Sequence, residues 1–534
     1  MKSNPTRFWW SMIALGWALD FLFWRQRLGV NFALYALLCL VTGFLLLRSD
    51  GHRPARSVWL LIPLIVFFAA LTFLRQEPMT AFLAVVMTLF LMSIAAASYL
   101  GGRWTSYSLL DYLGKFLQLL GSMAFRPLTF HVEAREVLAK REQAEAEPRS
   151  GTRRGTSQTW AIVRGLLLAL PILAIFTALL ASADLVFSQR VEAFLELFDL
   201  KKLPQYIFRL GYILIAAYLL AGVFLHAATR SQDEKLAGQD KAMLPPFLGF
   251  TEAVIVLGSV ALLFAAFVVV QFQYFFGGQA NIHIEGYTYS EYARRGFGEL
   301  ILVAFFSLLL ILGASSVTRR EKETQRRIFS GLEVGIVGLV LVMLVSAFQR
   351  LVLYETAYGF SRLRTYPHIF MVWLGLLLVA TAALEIVRRE RAFALAAVLA
   401  SLGFAVSLGV MNVDGFIVRQ NVNRALVSEE IDADYLMQLS DDAVPALATA
   451  YRTQPLSASV KEGIGAALAC YAARHRTDAP PASWRSFHLA RWNADRILAD
   501  LRAELQAYEM EGDEWSRKVI APSGEEYFCN WYWD

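Results

Sequence analysis

Eleven long apolar segments dominate this chain and limit what it can fold into. A helix that crosses a bilayer needs about 20 consecutive, mostly apolar residues, and each segment approaches or exceeds that length. Only 18% of the residues are charged, against roughly 25% in an average soluble protein, so the chain has too little polar surface to fold in water. The sequence therefore predicts an all-α fold, a polytopic transmembrane helix bundle. The segments cover residues 8–24, 29–47, 57–74, 79–100, 160–182, 208–228, 248–275, 298–318, 330–349, 367–387 and 392–413.

Lysine and arginine residues indicate the orientation of this bundle, because they are enriched in the cytoplasmic loops of membrane proteins. With a cytoplasmic N-terminus, the inside segments hold 26 Lys and Arg residues, and the outside loops before residue 414 hold 12. The bias predicts a cytoplasmic N-terminus and, with an odd number of spans, an extracytoplasmic C-terminus. The very short links 25–28 and 75–78 are the weakest part of this assignment, since either helix pair could instead be a re-entrant hairpin.

Four regions follow from this topology. Residues 1–100 form an N-terminal four-span bundle, residues 101–159 a cytoplasmic interfacial helix with a charged linker, and residues 160–413 a seven-span membrane core. Residues 414–534 hold 12 Lys and Arg against 19 Asp and Glu, and their helical periodicity predicts an acidic helical extracytoplasmic domain. Basic residues beside the membrane are explained by topology and by attraction to anionic lipid. We therefore expect membrane lipid as a partner and no nucleic acid.

Three polar stretches, 283–300, 349–368 and 411–425, meet at the outer face of the predicted bundle. Charged groups near bilayer depth are costly unless they are paired, so we predict a partly buried polar network, called here the outer polar rim. The rim is an ion-paired collar that seats the tail, a pocket for an anionic group such as lipid phosphate, or a chance proximity. Its candidate residues are Glu291, Arg294, Arg295, Glu299, Arg350, Tyr354, Glu355, Tyr358, Arg362, Arg364, His368, Asn412, Asp414, Arg419, Asn421 and Asn423.

Glu299 is the sharpest single case in the rim. It lies about one helical turn inside a predicted span, where a lone carboxylate needs a partner. Arg295 lies one turn earlier on the same helix face, and the arginines of 349–364 are the other candidates.

The same stretches resemble known membrane proteins. EYARRGFGEL, LYETAYGFSRLRTY, and MNVDGFIVRQNVNRA followed by IDADYLMQLSDDAVPAL are similar to segments of bacterial membrane proteins in domain-of-unknown-function families 4153 and 4173. The resemblance covers most of the membrane region and the first part of the tail. It implies a multi-span protein of the bacterial inner membrane, and it implies no activity.

Residues that typically carry chemistry are sparse. The chain has no HExxH, CxxC, P-loop or GxSxG motif, and its seven His residues show no metal-ligand spacing. We therefore expect no cofactor and no metal. Cys39 lies in an apolar span and is expected to be reduced. Cys470 and Cys529 lie in the tail, which the topology places in an oxidising compartment, so they form a disulfide or remain two separate thiols.

Three functions are compatible with these features, and the sequence leaves it open whether the protein is an enzyme. The first, which the sequence favours, is a non-catalytic envelope sensor or scaffold whose tail, 414–534, meets an extracytoplasmic protein partner. The second is an enzyme that acts on a lipid-linked substrate at the outer face, a plan like that of polytopic glycosyltransferases, with Asp20 as a candidate acidic residue. The third is a transporter, which the intramembrane residues Glu299 and Glu333 would suit.

Overall fold

The computed structural model describes residues 5–144, 202–232, 236, 246–276, 297–477, 483–512 and 517–529, together with scattered positions between 165 and 190. This part of the chain is almost wholly helical. Before residue 412 its helices are α1 (Pro5–Phe23), α2 (Val30–Ser49), α3 (Leu61–Leu74), α4 (Pro78–Ala97), α5 (Leu109–Ala144), α6 (Leu203–Thr229), α7 (Phe250–Phe276), α8 (Phe297–Val317), α9 (Glu323–Tyr358), α10 (Arg362–Ile386) and α11 (Phe393–Met411).

Nine stretches of these described helices are long and apolar enough to cross a membrane. They match nine of the eleven predicted segments, which confirms the predicted all-α membrane fold. The predicted span 8–24 coincides with α1, which is not among the nine. Most of the predicted span 160–182 lies outside the described residues. The predicted number of spans therefore stays a prediction.

The chain divides into two compact units. The smaller comprises Met1–Trp24, Thr42–Gly51 and Gly121–Leu225, and the larger comprises Arg25–Val41, His52–Leu120 and His226–Asp534. In the smaller unit, Asp20 is 2% exposed, and its carboxylate accepts a hydrogen bond of 2.9 Å from Nε of Arg209 and another from the Tyr212 hydroxyl. This carboxylate is therefore already neutralised by α6.

The larger unit holds a continuous series of packed helices. Helix α3 packs on α4, α4 on α11, α11 on α10, and α10 on α9, which also contacts α7 and α8. Their facing side chains form apolar cores that include Phe68, Leu91, Ile336 and Leu378. A 36-residue helix such as α9 is about 54 Å long, so it extends well beyond a hydrocarbon layer of about 30 Å.

The tail, defined here as residues 413–529, begins where Asn412 breaks the helical path. Asn412 adopts a left-handed conformation, φ 52°, which ends α11, and its side chain accepts a hydrogen bond from the Gly415 N–H at the start of the next helix. Asparagine tolerates this conformation better than most residues. The tail helices are α12 (Val413–Ser428), α13 (Ala433–Met437), α14 (Val444–Thr453), α15 (Ala458–Thr477) and α16 (Leu489–Asp500).

The tail is mainly helical, as expected, but it also contains a small sheet that the helical periodicity did not predict. Strands β1 (Glu509–Glu511), β2 (Lys518–Ile520) and β3 (Glu526–Phe528) form an antiparallel sheet in the order β1-β2-β3. Val519 of β2 is fully buried in the core of the tail. This core is formed mainly by α12, α14 and α15, whose buried residues include Ile417, Leu447 and Leu468.

Candidate functional site

Within the larger unit, the tail contacts both of the short links 25–28 and 75–78 that made the predicted topology uncertain. At the first link, the Val30 N–H donates to the Phe487 carbonyl at 3.0 Å, and the Ser486 hydroxyl donates to Gln26 at 3.0 Å. At the second link, residues 75–77 contact Asp442. Both links therefore lie on the same side of the bundle as the tail.

A buried ion pair joins α10 to the beginning of the tail. The Asp414 carboxylate is fully buried and accepts hydrogen bonds from Nε and Nη2 on one edge of the Arg362 guanidinium, with Nε 2.7 Å from Oδ1. The same carboxylate accepts hydrogen bonds from the backbone N–H and the hydroxyl of Ser440, at 2.8 and 2.6 Å. A two-pronged Arg–carboxylate pair fixes orientation as well as charge, so Asp414 locks a membrane helix and two tail segments together.

Asp442 makes a second buried contact between the tail and the bundle, after the Asp414–Arg362 pair. Its carboxylate is 4% exposed and accepts hydrogen bonds from the backbone N–H groups of Gln76 and Glu77, at 2.6 and 3.0 Å. Arg75 lies 3.5 Å from its other oxygen. Burial raises the pKa of Asp442 to about 6, although these backbone bonds and Arg75 oppose the shift. Two backbone N–H donors and a guanidinium are the contacts that suit an ionised carboxylate.

Glu77 ends the short link 75–78, because it caps the helix that begins at the next residue. It precedes Pro78, which suits the first position of a helix, and its carboxylate caps α4 by accepting bonds from the N–H groups of Met79 and Thr80, each at 2.8 Å. The Tyr366 hydroxyl of α10 also donates to Glu77. We call this connected set the junction network. Its members are Arg75, Glu77, Arg362, Tyr366, Asp414, Ser440 and Asp442.

A second charged cluster lies within the tail, beside the junction network. Asp441 is 2% exposed and contacts the Arg474 guanidinium at 2.6 Å and Nε2 of His475 at 3.0 Å. Burial alone would raise the pKa of Asp441, but His475 and Arg474 outweigh it and lower the pKa to about 2. Burial alone would lower the pKa of His475, but Asp441 and Asp495 raise it. The cluster therefore favours a protonated His475 that faces an ionised Asp441.

Two other rim residues, Asn421 and Arg364, form hydrogen bonds with the backbone of the α9–α10 connection. The Asn421 side chain pairs with the backbone of Phe360, accepting at 2.7 Å and donating at 2.9 Å. Arg364 donates to the carbonyls of Tyr358, at 3.0 Å, and Gly359, and its guanidinium stacks 4.2 Å from the Tyr354 ring centroid. These arginine and amide groups are engaged with the backbone of the protein.

Gly359 ends α9 in a conformation that favours glycine, with φ 79°. A Cβ atom at this position would lie 2.8 Å from Oδ1 of Asn421. The close approach allows the amide of Asn421 to reach the Phe360 backbone. A cavity of about 120 Å³ lies beside this turn. Its lining includes Arg364, Arg424, Glu430 and Asp432.

The remaining predicted rim residues are distributed differently. Glu355, 2% exposed, contacts His368 through Oε2 and Nδ1 at 3.1 Å. Arg350 is partly buried. Four other rim residues are exposed: Glu299, Tyr358, Arg419 and Asn423. Glu291, Arg294 and Arg295 lie outside the described residues. Of the predicted rim, Arg362 and Asp414 are the pair at the centre of the junction, and Asn412 donates to the Asp442 carbonyl at 3.3 Å.

Sequence reasoning missed most of the junction network. The predicted rim does not include Arg75, Glu77, Tyr366, Ser440 or Asp442. The available signal was the run LSDDAVPAL, in which two adjacent acidic residues interrupt an apolar pattern and would need buried partners. The sequence offers no such signal for Arg75 and Glu77, because their partners lie far along the chain.

Cys470 and Cys529 form a disulfide, with Cα atoms 5.7 Å apart. The bond joins α15 to the end of β3 and holds the sheet against the tail core. Cys39 is a buried free cysteine. Within the described ranges, no group of three or more His, Cys, Asp or Glu side chains is arranged to hold a metal ion.

These features define a class: a polytopic helical membrane protein whose helical tail is docked on the bundle through buried charges. The chain belongs to the family described as "domain of unknown function (DUF4153)", whose profile matches residues 61–450. This range contains the whole junction network, but it ends before Arg474, His475 and the disulfide. Neither a curated protein nor a solved structure matched the chain.

Proposed function

We propose that the protein is a non-catalytic sensor or scaffold of the bacterial cell envelope. It lies in the cytoplasmic membrane with its N-terminus in the cytoplasm and its tail outside, where the tail meets a protein partner. Membrane lipid surrounds the apolar spans. The distribution of Lys and Arg supports this orientation, and a tail disulfide is typical of an oxidising compartment.

The Asp414 ion pair is the observation that carries the proposal. A charge this deeply buried is costly unless its partner is in place, so α10 and the tail are held in one arrangement. A load or a bound partner on the tail would therefore act directly on the membrane helices. This coupling is what a scaffold or a sensor requires.

The engagement of Arg362, Arg364 and Arg424 supports a scaffold over an anion pocket. Arg362 is neutralised by Asp414, while Arg364 and Arg424 donate to backbone carbonyls of residues 357–359. A pocket for a lipid phosphate would use such guanidinium groups to bind the ligand. Their use in closing a turn supports a structural role.

Topology is tested with two alkaline phosphatase fusions, one after the last residue and one within residues 140–155. The phosphatase folds only outside the cytoplasm, so we expect activity from the C-terminal fusion and none from the loop fusion. The reverse result would overturn the orientation, and with it the extracytoplasmic role of the tail.

Function is tested by complementation of a deletion strain under envelope stress. Asp442→Asn weakens tail docking, and Arg419→Gln, an exposed change on α12, is the matched control. With both proteins at wild-type abundance, we expect Arg419→Gln to complement and Asp442→Asn to fail. Mass spectrometry of lipid extracts gives the opposing result: a lipid-linked precursor that accumulates in the deletion strain would identify an enzyme and refute the scaffold.

A further inference from the structure

A small acidic cavity lies among α8, α9 and α10, away from the junction network. Its volume is about 30 Å³, roughly twice what a single water molecule needs. Oxygen-bearing side chains contribute to a wall that is otherwise apolar. They are Ser315, Glu333, Thr381, Glu385 and Glu390.

Glu333 is the unusual residue in this wall. It lies about 15 Å along α9 from the first residue of the helix, and its side chain is 2% exposed. Both carboxylate oxygens are buried without a hydrogen-bond partner among the residues that the structure describes. An ionised carboxylate in that state is very unfavourable, so this position requires a neutralising ligand.

The surrounding charges do not supply that neutralisation. Glu385 accepts a bond of 2.5 Å from the Ser330 hydroxyl and pairs with Arg320 at 3.4 Å. Glu390 pairs with Arg320 at 3.5 Å and with Arg326 at 3.4 Å. Among the described groups, these two guanidiniums face three carboxylates. The cluster therefore lacks one positive charge.

The chemistry of the cavity limits the missing cation to a single charge. Ca²⁺ and Mg²⁺ require about six or more oxygen ligands, usually with several carboxylates, whereas Glu385 and Glu390 are already paired with arginines and leave Glu333 as the one described carboxylate of this wall for a cation. Ser315 and Thr381 offer hydroxyl oxygens, which are hard ligands. A proton or Na⁺ matches both the charge and the space.

We propose that Glu333 is a binding site for a single-charge cation, either a proton or Na⁺, inside the membrane bundle. The carboxylate holds the cation, and the Ser315 and Thr381 hydroxyls complete the site when the cation is Na⁺. This site is independent of tail docking. It gives the protein a response to pH or to Na⁺ on a face separate from the junction network.

The test is thermal unfolding of the purified full-length protein in detergent, compared between wild type and Glu333→Gln. Glutamine imitates the neutralised side chain, so the variant keeps the shape of the site without the charge. In a Na⁺-free N-methylglucamine buffer, the wild-type midpoint should fall relative to that of the variant between pH 6 and pH 9, because the proton leaves Glu333. Glu429→Gln, which changes an exposed carboxylate at the end of α12, is the control and should behave as wild type.

Added Na⁺ distinguishes the two cations. If Na⁺ is the ligand, it should raise the wild-type midpoint at pH 9 by about 2 °C or more, leave Glu333→Gln unchanged, and act more weakly on Thr381→Val, which lacks the hydroxyl. If Na⁺ has no effect while the pH difference remains, the ligand is the proton. A wild-type midpoint that follows Glu333→Gln at every pH and Na⁺ concentration would overturn the proposal.

A second measurement uses dicyclohexylcarbodiimide, which modifies protonated carboxyl groups in apolar surroundings. Peptide mass spectrometry should find the modification on Glu333 at pH 6, with at least a several-fold decrease at pH 9. Protection by Na⁺, but not by N-methylglucamine, would identify Na⁺ as the ligand. Modification of Glu333 that is independent of both pH and Na⁺ would contradict the cation site.

Discussion

Replacement of Asp414 by leucine is expected to loosen the tail from the bundle. The change removes two bonds from Arg362 and two from Ser440, and it leaves a guanidinium whose side chain is only 20% exposed without its counter-charge. Breaking a buried pair from one side typically costs about 3–5 kcal/mol. Because Arg362 retains some exposure, we expect a loss near the lower limit, about 3 kcal/mol, in the free energy of tail unfolding.

Pulse proteolysis of the protein in membranes, over a urea series, measures this loss, because the brief protease treatment removes only the unfolded tail. Arg419→Leu on the same helix is the control and should change the free energy by less than about 0.5 kcal/mol. The double variant Asp414→Leu with Arg362→Met removes both charges, so it should be more stable than Asp414→Leu alone. A loss below about 1 kcal/mol for Asp414→Leu, or strictly additive effects in the double variant, would refute the buried pair.

The disulfide, the tail histidine and the α9–α10 turn give three further predictions. Dithiothreitol should lower the free energy of tail unfolding by about 4 kcal/mol, since the Cys470–Cys529 bond closes a loop of 59 residues, and it should leave Cys529→Ser unaffected; equal losses in both would contradict the bond. The raised pKa of His475 contributes stability that is complete below the ordinary pKa of histidine and is lost as the pH rises through the folded value. The urea midpoint of the tail should therefore fall from pH 7 to pH 9, and Asp441→Asn should flatten that slope; parallel slopes would remove the pairing. Gly359→Ala should destabilise the α9–α10 turn by about 1–3 kcal/mol, seen as faster amide exchange at residues 357–361, and unchanged exchange would refute the strain.

The membrane fold was predictable from sequence because its main determinants are local. A helix in lipid must satisfy its own backbone hydrogen bonds, so a long apolar run such as Phe250–Gln271 indicates a span without any knowledge of its neighbours. The three strands of the tail were missed for the opposite reason. Each has three residues, too few to show an alternating pattern, and their pairing depends on the packing of β2 against the helices.

The candidate site was only partly predictable. Arg362 and Asp414 were expected at one rim because charged residues near the membrane need partners, and they form a pair 52 residues apart in sequence. Asp442 and Gln76 are separated by 366 residues, and neither residue carries a local sign of the other. Glu299 was expected to be partly buried, but its side chain is exposed in the first turn of α8. Depth along a predicted helix does not reveal which way a side chain faces.

Docking of the tail over the links near residues 29 and 76 has a consequence for biosynthesis. The two links are synthesised early, whereas Asp442, which binds the Gln76 backbone N–H, is synthesised 366 residues after Gln76. At about 5–20 residues per second, the ribosome needs roughly 20–70 s to cover that distance. During that interval the two links lack their hydrogen bonds to the tail. A chaperone or protease that recognises such links would distinguish a nascent or stalled chain from a finished one.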